Sequence, residues 1–166
     1  MNKNPILRVL EEVEGSTNPR IVILVAHGLI ELMVNTLIDA HCKNRKAITS
    51  DTRGYPHTTK LLILNECGVI HDAFYRVLNR LRKLRNDAAH EPFFDVDEYR
   101  LRQIAEPMMP AFESIPEVYN KTFSSVNGLC STIIQSLWDT HMDVLSPVFS
   151  PGVYSATKRE NHSDSS

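Results

Sequence analysis

The run from Ile21 to Ile38 is the longest apolar stretch in the chain, and it is interrupted by His27, Glu31 and Asn35. Its length alone would suit a membrane span. Ionisable groups inside it, and the lack of a second candidate span, favour a helix at the centre of a protein core. His27, Glu31, Asn35 and Asp39 recur every four residues and draw one polar line along that helix. A helix this apolar has to be covered by other elements, so the rest of the chain must supply amphipathic partners.

The partners read as helices almost throughout. Ile6, Leu7, Val9, Leu10 and Val13 predict a short amphipathic helix that Gly15 ends. Ser16, Thr17 or Asn18 caps the long apolar helix, with Pro19 in its first turn, and that helix should run to about Cys42. Residues 43–56 are polar, contain Gly54 and Pro56, and read as a loop. A helix of about ten residues should follow and stop at the NECG sequence ending in Gly68. In the next segment, Phe74, Val77, Leu78, Leu81, Leu84 and Ala88 repeat at helical spacing until Pro92 closes it. Asp95 or Asp97 can cap a further helix that Pro107 and Pro110 kink or break, and Val118 to about Leu145 predicts a last long helix with Gly128 as its weak point.

No strand alternation and no internal repeat compete with this reading. The expected fold is all-α, a single-domain bundle of five or six helices over residues 1–145. Residues 146–166, rich in Ser and Pro, form an expected disordered tail. The chain's 166 residues and 42% hydrophobic content are enough for one buried core. A net charge of −2 disfavours a globally basic nucleic-acid binder and leaves room for a local basic patch. Cys42, Cys67 and Cys130 are odd in number and far apart, which suits a reducing intracellular setting; no signal-peptide core precedes them, and a cytoplasmic location is expected.

The segment LRKLRNDAAHEPFF, residues 81–94, carries the most chemistry. Advancing by about 100° per residue places Arg85 inside the apolar arc, between Leu81 and Ala88. A guanidinium on the core side must be paired or line a polar cleft. Glu31, with apolar neighbours, is expected to be rather buried too, and a charge-assisted Glu31–Arg85 bond is the obvious pairing. Asn79, Lys83, Asn86 and His90 fall on the opposite side with Arg76 and Arg80, as a solvent-facing basic stripe. That stripe also suits the helix macrodipole and needs no partner.

RNDAAH resembles the R-polar-x-x-x-H signature of the HEPN superfamily, with Arg85, Asn86 and His90 in its three positions. Residues 16–105 are also similar in layout to the mannitol operon repressor family, through Lys60-Leu61, Gly68, Ile70 and FFDVDEYR. The first resemblance implies a compact helical bundle acting as a metal-independent endoribonuclease, with the toxin of a toxin–antitoxin or defence system as a candidate role. In that reading His90 exchanges a proton, Arg85 clamps the scissile phosphate, Asn86 positions one of these groups and Glu31 orients Arg85. Arg76, Arg80 and Lys83 would hold the RNA backbone. Arg85 and His90 lie about 140° apart on an ideal helix, so a frayed end or a two-fold homodimer must bring them together. The second resemblance implies a non-catalytic transcriptional regulator or scaffold that binds a protein partner.

Other motifs are weaker. Cys67-x-x-x-His71 and His41-Cys42 lack a zinc pattern, and no P-loop, GxGxxG or GxSxG sequence occurs, so neither metal nor cofactor is expected. Asp95, Asp97 and Glu98 serve more naturally as helix caps than as metal ligands. Gly68 before the basic helix resembles a helix-turn-helix, but the apolar occupancy of that helix argues against its lying in a major groove.

Overall fold

A computed structural model describes residues 5–112 and 122–150. Among these residues there are eight α-helices and one 3-10 helix, and no strand. The extra helices relative to the expected five or six come from two places where the sequence reading joined or missed elements.

Helix α1, Pro5–Gly15, buries Ile6 and Val13. Helix α2, Pro19–His41, starts where Asn18 takes extended geometry and its side chain accepts from the Arg20 N–H at 3.0 Å. Pro19 occupies the first turn, where its missing N–H costs nothing. By length and composition α2 could cross a membrane, but more than half of its most apolar window is covered by other helices of the fold. Its neighbours are α1, α3 (Arg45–Ser50), α4 (His57–Glu66), α5 (Asp72–His90), α7 (Val126–Thr140) and α8 (Met142–Phe149). The helix is therefore the axis of the bundle, which explains why its sequence is apolar on nearly every side.

Residues 43–56 are not all loop. Ile48 is buried and anchors the short α3, a single apolar contact that leaves no period in the sequence. Helix α4 ends in a left-handed turn: Gly68 has φ +70°, and the Val69 N–H bonds the Leu64 carbonyl at 2.8 Å. Helix α5 follows from a His71 cap and buries Phe74, Val77, Leu78, Leu81, Leu84 and Ala88. These are the six positions whose spacing predicted it.

Asp97 caps α6, Glu98–Ala105, through the Arg100 N–H, and the chain then tightens into a 3-10 helix over Glu106–Phe112 that carries Pro110. The predicted long last helix is two. Its proposed start, residues 118–121, lies outside the described residues, and Ser125 opens α7 with its Oγ accepting from the Gly128 N–H at 3.0 Å. A Cβ at Gly128 would stand 2.4 Å from the Thr122 carbonyl oxygen, so the chain can turn this closely only with glycine there. A second break at His141 separates α7 from α8.

Helix α8 runs across residue 145, the expected edge between bundle and tail. Leu145, Ser146, Phe149 and Ser150 are buried, with α8 packed on α2 and α7. The remainder of the expected tail, residues 151–166, lies outside the described residues.

Candidate functional site

The last turn of α5 sits beside the start of α2. Arg20 reaches across, and its Nη2 donates to the Glu91 carbonyl at 2.5 Å and the Pro92 carbonyl at 3.1 Å. Helix α5 stays regular through His90, and the Glu91 N–H closes the last turn on the Asp87 carbonyl at 2.8 Å. The end is not frayed. Arg85 and His90 thus keep the separation of about 140° that a regular helix imposes within one copy.

Arg85 is half-buried, and its Nη1 donates to the Asn86 Oδ1 at a long 3.4 Å. Among the described residues no carboxylate lies within ion-pair distance of it. The expected Glu31–Arg85 bond is absent, and Glu31 is not buried: its side chain is 45% exposed, with Oε2 3.8 Å from His27 Nδ1. His27 is one turn back on the same helix face, and at the wet rim Glu31 keeps hydration that a buried pairing would forfeit. Asn86 is half-buried and His90 exposed.

Beside Glu31 lies a polar cluster that the sequence reading assembled only in part. His27, 3% exposed, meets His57 of α4 edge to face, with ring centroids 4.9 Å apart. Burial first, then the Arg85 and Arg82 charges, lower the His27 pKa to about 4. Burial lowers that of His57 to about 3, helped by His27, Lys60, Arg82 and Arg85. Both imidazoles are therefore neutral near neutral pH, so the His27–Glu31 contact is no ion pair there. His27 Nε2 and both ring nitrogens of His57 are shielded from solvent without a hydrogen-bond partner among the described residues.

Lys60, 5% exposed, points its Nζ at the Asn35 Oδ1, 2.9 Å away, and Arg82 Nε donates to the Asn79 Oδ1 at 3.2 Å. Sequence reasoning missed His57, Lys60 and Arg82. The available signal was His57 and Lys60 three positions apart, and so on one face, of a short helix that could answer the polar line His27–Glu31–Asn35.

The basic stripe is split. Arg76 and Lys83 are exposed, whereas Arg80 bonds the Gln103 carbonyl and pairs with Glu106 at 2.8 Å. Arg80, Lys83 and Arg100 line an open cavity of about 360 Å³ with Gln103 and Glu106, and Arg100 also pairs with Asp87. Among the described residues no three His, Cys, Asp or Glu side chains converge as metal ligands would.

With this geometry in place, comparison with known proteins adds nothing further: no family model matches the chain, and neither the curated proteins nor the solved structures give a significant match.

Proposed function

We propose that this chain is a metal-independent endoribonuclease of the HEPN kind that cuts RNA by 2′-hydroxyl attack on the neighbouring phosphorus. The observation that supports it is Arg85: half-buried, held to Asn86, without a described carboxylate partner, on the helix whose last residue is the exposed His90. A guanidinium in this state is ready to take an oxyanion. In the reaction His90 removes the 2′-hydroxyl proton while the O2′–P bond forms and the P–O5′ bond breaks. The departing O5′ takes a proton from water, His90 later releases its own to solvent, and the products are a cyclic phosphate and a 5′-hydroxyl. Arg85 neutralises charge growing on the non-bridging oxygens, Asn86 positions it, and Arg76 and Lys83 offer exposed cations to the RNA backbone.

Because Arg85 and His90 diverge on an unbroken helix, a complete site draws them from two copies of the chain. Ile21, Leu24 and Leu32 are exposed on α2 within about an 80° arc that also holds Gly28. Phe93, 97% exposed, follows Pro92, which Arg20 ties to the start of α2. Apolar surface of this extent suits a two-fold homodimer. A cytoplasmic toxin or defence nuclease fits this reading.

A second reading is a non-catalytic regulator or scaffold like the mannitol operon repressor family. The same divergence of Arg85 and His90 favours it, since the α2 stripe would then receive a different protein. The two separate on one assay. The purified chain should cleave RNA in EDTA, and His90→Ala should abolish cleavage; equal activity in the variant would sink the nuclease assignment.

A further inference from the structure

We propose that Arg82 and Arg85 form a fork for a phosphate group over the His27–His57 pair, with Lys60 as the third cation. It shares Arg85 with the nuclease reading but stands on Arg82, His57 and Lys60, which that reading leaves unused.

Arg82 and Arg85 are one turn apart on α5 and share a face. Helix α5 packs on both α2 and α4, the helices that carry the two imidazoles, and Arg82 and Arg85 are half-buried there, with their charges acting on both rings. Each guanidinium makes its hydrogen bond to a neutral amide, Asn79 or Asn86, and neither has a carboxylate within ion-pair distance among the described residues. The nearly buried Lys60 meets Asn35, again a neutral acceptor. Among the described residues, Glu31 brings a carboxylate to within 3.8 Å of His27 Nδ1, and it is half-exposed. Three cations at one helix junction, each hydrogen-bonded to a neutral amide, favour an anion there.

The imidazoles supply what the cations lack. Each neutral ring carries one N–H donor and one acceptor nitrogen. His27 is almost wholly buried, yet its Nε2 has no described partner, and His57 has none at either nitrogen. Shielded polar atoms without partners are rare in folded proteins, and a bound oxyanion would satisfy the N–H donors. Two adjacent guanidinium forks match the oxygen edges of a tetrahedral phosphate, with an ammonium and imidazole N–H groups left for the remaining oxygens. A lone carboxylate ligand would fill one fork and leave the other. Free phosphate and the phosphate of a nucleotide share this chemistry.

The test follows the imidazole nitrogen resonances of the full chain at pH 7 while inorganic phosphate is added, with chloride matched for ionic strength and adenosine 5′-monophosphate as a second arm. The site requires saturable shifts of His27 and His57 with phosphate and none with chloride. Tighter binding of the nucleotide supports the fork with a nucleotide phosphate as its occupant; tighter binding of inorganic phosphate supports it with the free ion. Arg82→Gln, a helix-compatible change at a half-exposed position, should weaken binding at least about tenfold. His90→Ala should leave binding intact even where it removes RNA cleavage, so the two proposals fail separately. Absence of a saturable shift in the unaltered chain, or equal affinity in Arg82→Gln, would overturn the fork.

Discussion

The imidazole of His27 stands edge to face against that of His57 across the α2–α4 contact, at 4.9 Å between centroids and 62° between planes. The pair is held neutral by burial, and Arg82, Arg85 and Lys60 face it with positive charge, while Glu31 is the carboxylate in contact. It makes the polar side of the α2–α4–α5 junction sensitive to acid.

From about one unit above pH 6.5 both rings are almost wholly neutral whether the chain is folded or not, and they contribute little pH dependence. As pH falls below 6.5 the unfolded chain binds protons that the folded one refuses until about pH 4 for His27 and about pH 3 for His57. Stability is therefore lost on acidification through this window, by at most about 1.4 kcal/mol per pH unit for each ring. Urea unfolding at pH 7.5, 6.0 and 5.0 should show the loss, and His57→Gln should lessen it. An unfolding free energy with the same pH dependence in both proteins would contradict the buried neutral pair.

Helix α8 carries the core past residue 145. Phe149→Ala should destabilise by about 3 kcal/mol, the lower end for a buried phenylalanine. Thermal melting of Phe149→Ala at the temperature of the unaltered chain would show that α8 contributes nothing to the core.

Much of the fold was legible because the helices that carry it bury one continuous face. The six apolar positions of α5 and the Gly68 turn follow from local rules read at one place in the chain; the same rules narrowed the caps to Ser16, Thr17 or Asn18 and to Asp95 or Asp97, and packing chose Asn18 and Asp97. Helix α3 escaped because one buried residue, Ile48, makes no pattern, and the α7–α8 break because His141 resembles a helical residue in composition. The site was half legible. Rotation on α5 turned Arg85 inward, but whether a carboxylate answers it depends on Glu31, which hydration and His27 draw elsewhere. His57 and His27 are thirty positions apart, and only the packing of α4 on α2 brings them together.

The exposed stripe on α2 makes a third prediction. Leu24→Asp or Leu32→Asp should leave thermal stability within about 0.5 kcal/mol of the unaltered chain, as surface changes do, while converting a dimer to a monomer in sedimentation. If Arg85 and His90 act across two copies, RNA cleavage should fall with the dimer. An unaltered chain that sediments as a monomer at micromolar concentration would remove the basis for a shared site.

The chemistry proposed for Arg85 and His90 is tested most directly by the substrate's own nucleophile. The purified chain, in EDTA, should cut an unmodified RNA oligonucleotide to products ending in a cyclic phosphate and a 5′-hydroxyl, and should leave the same oligonucleotide with 2′-O-methyl groups at every position intact. Cleavage of the methylated strand, or products bearing a 5′-phosphate, would contradict attack by the 2′-hydroxyl and with it the role assigned to this helix end.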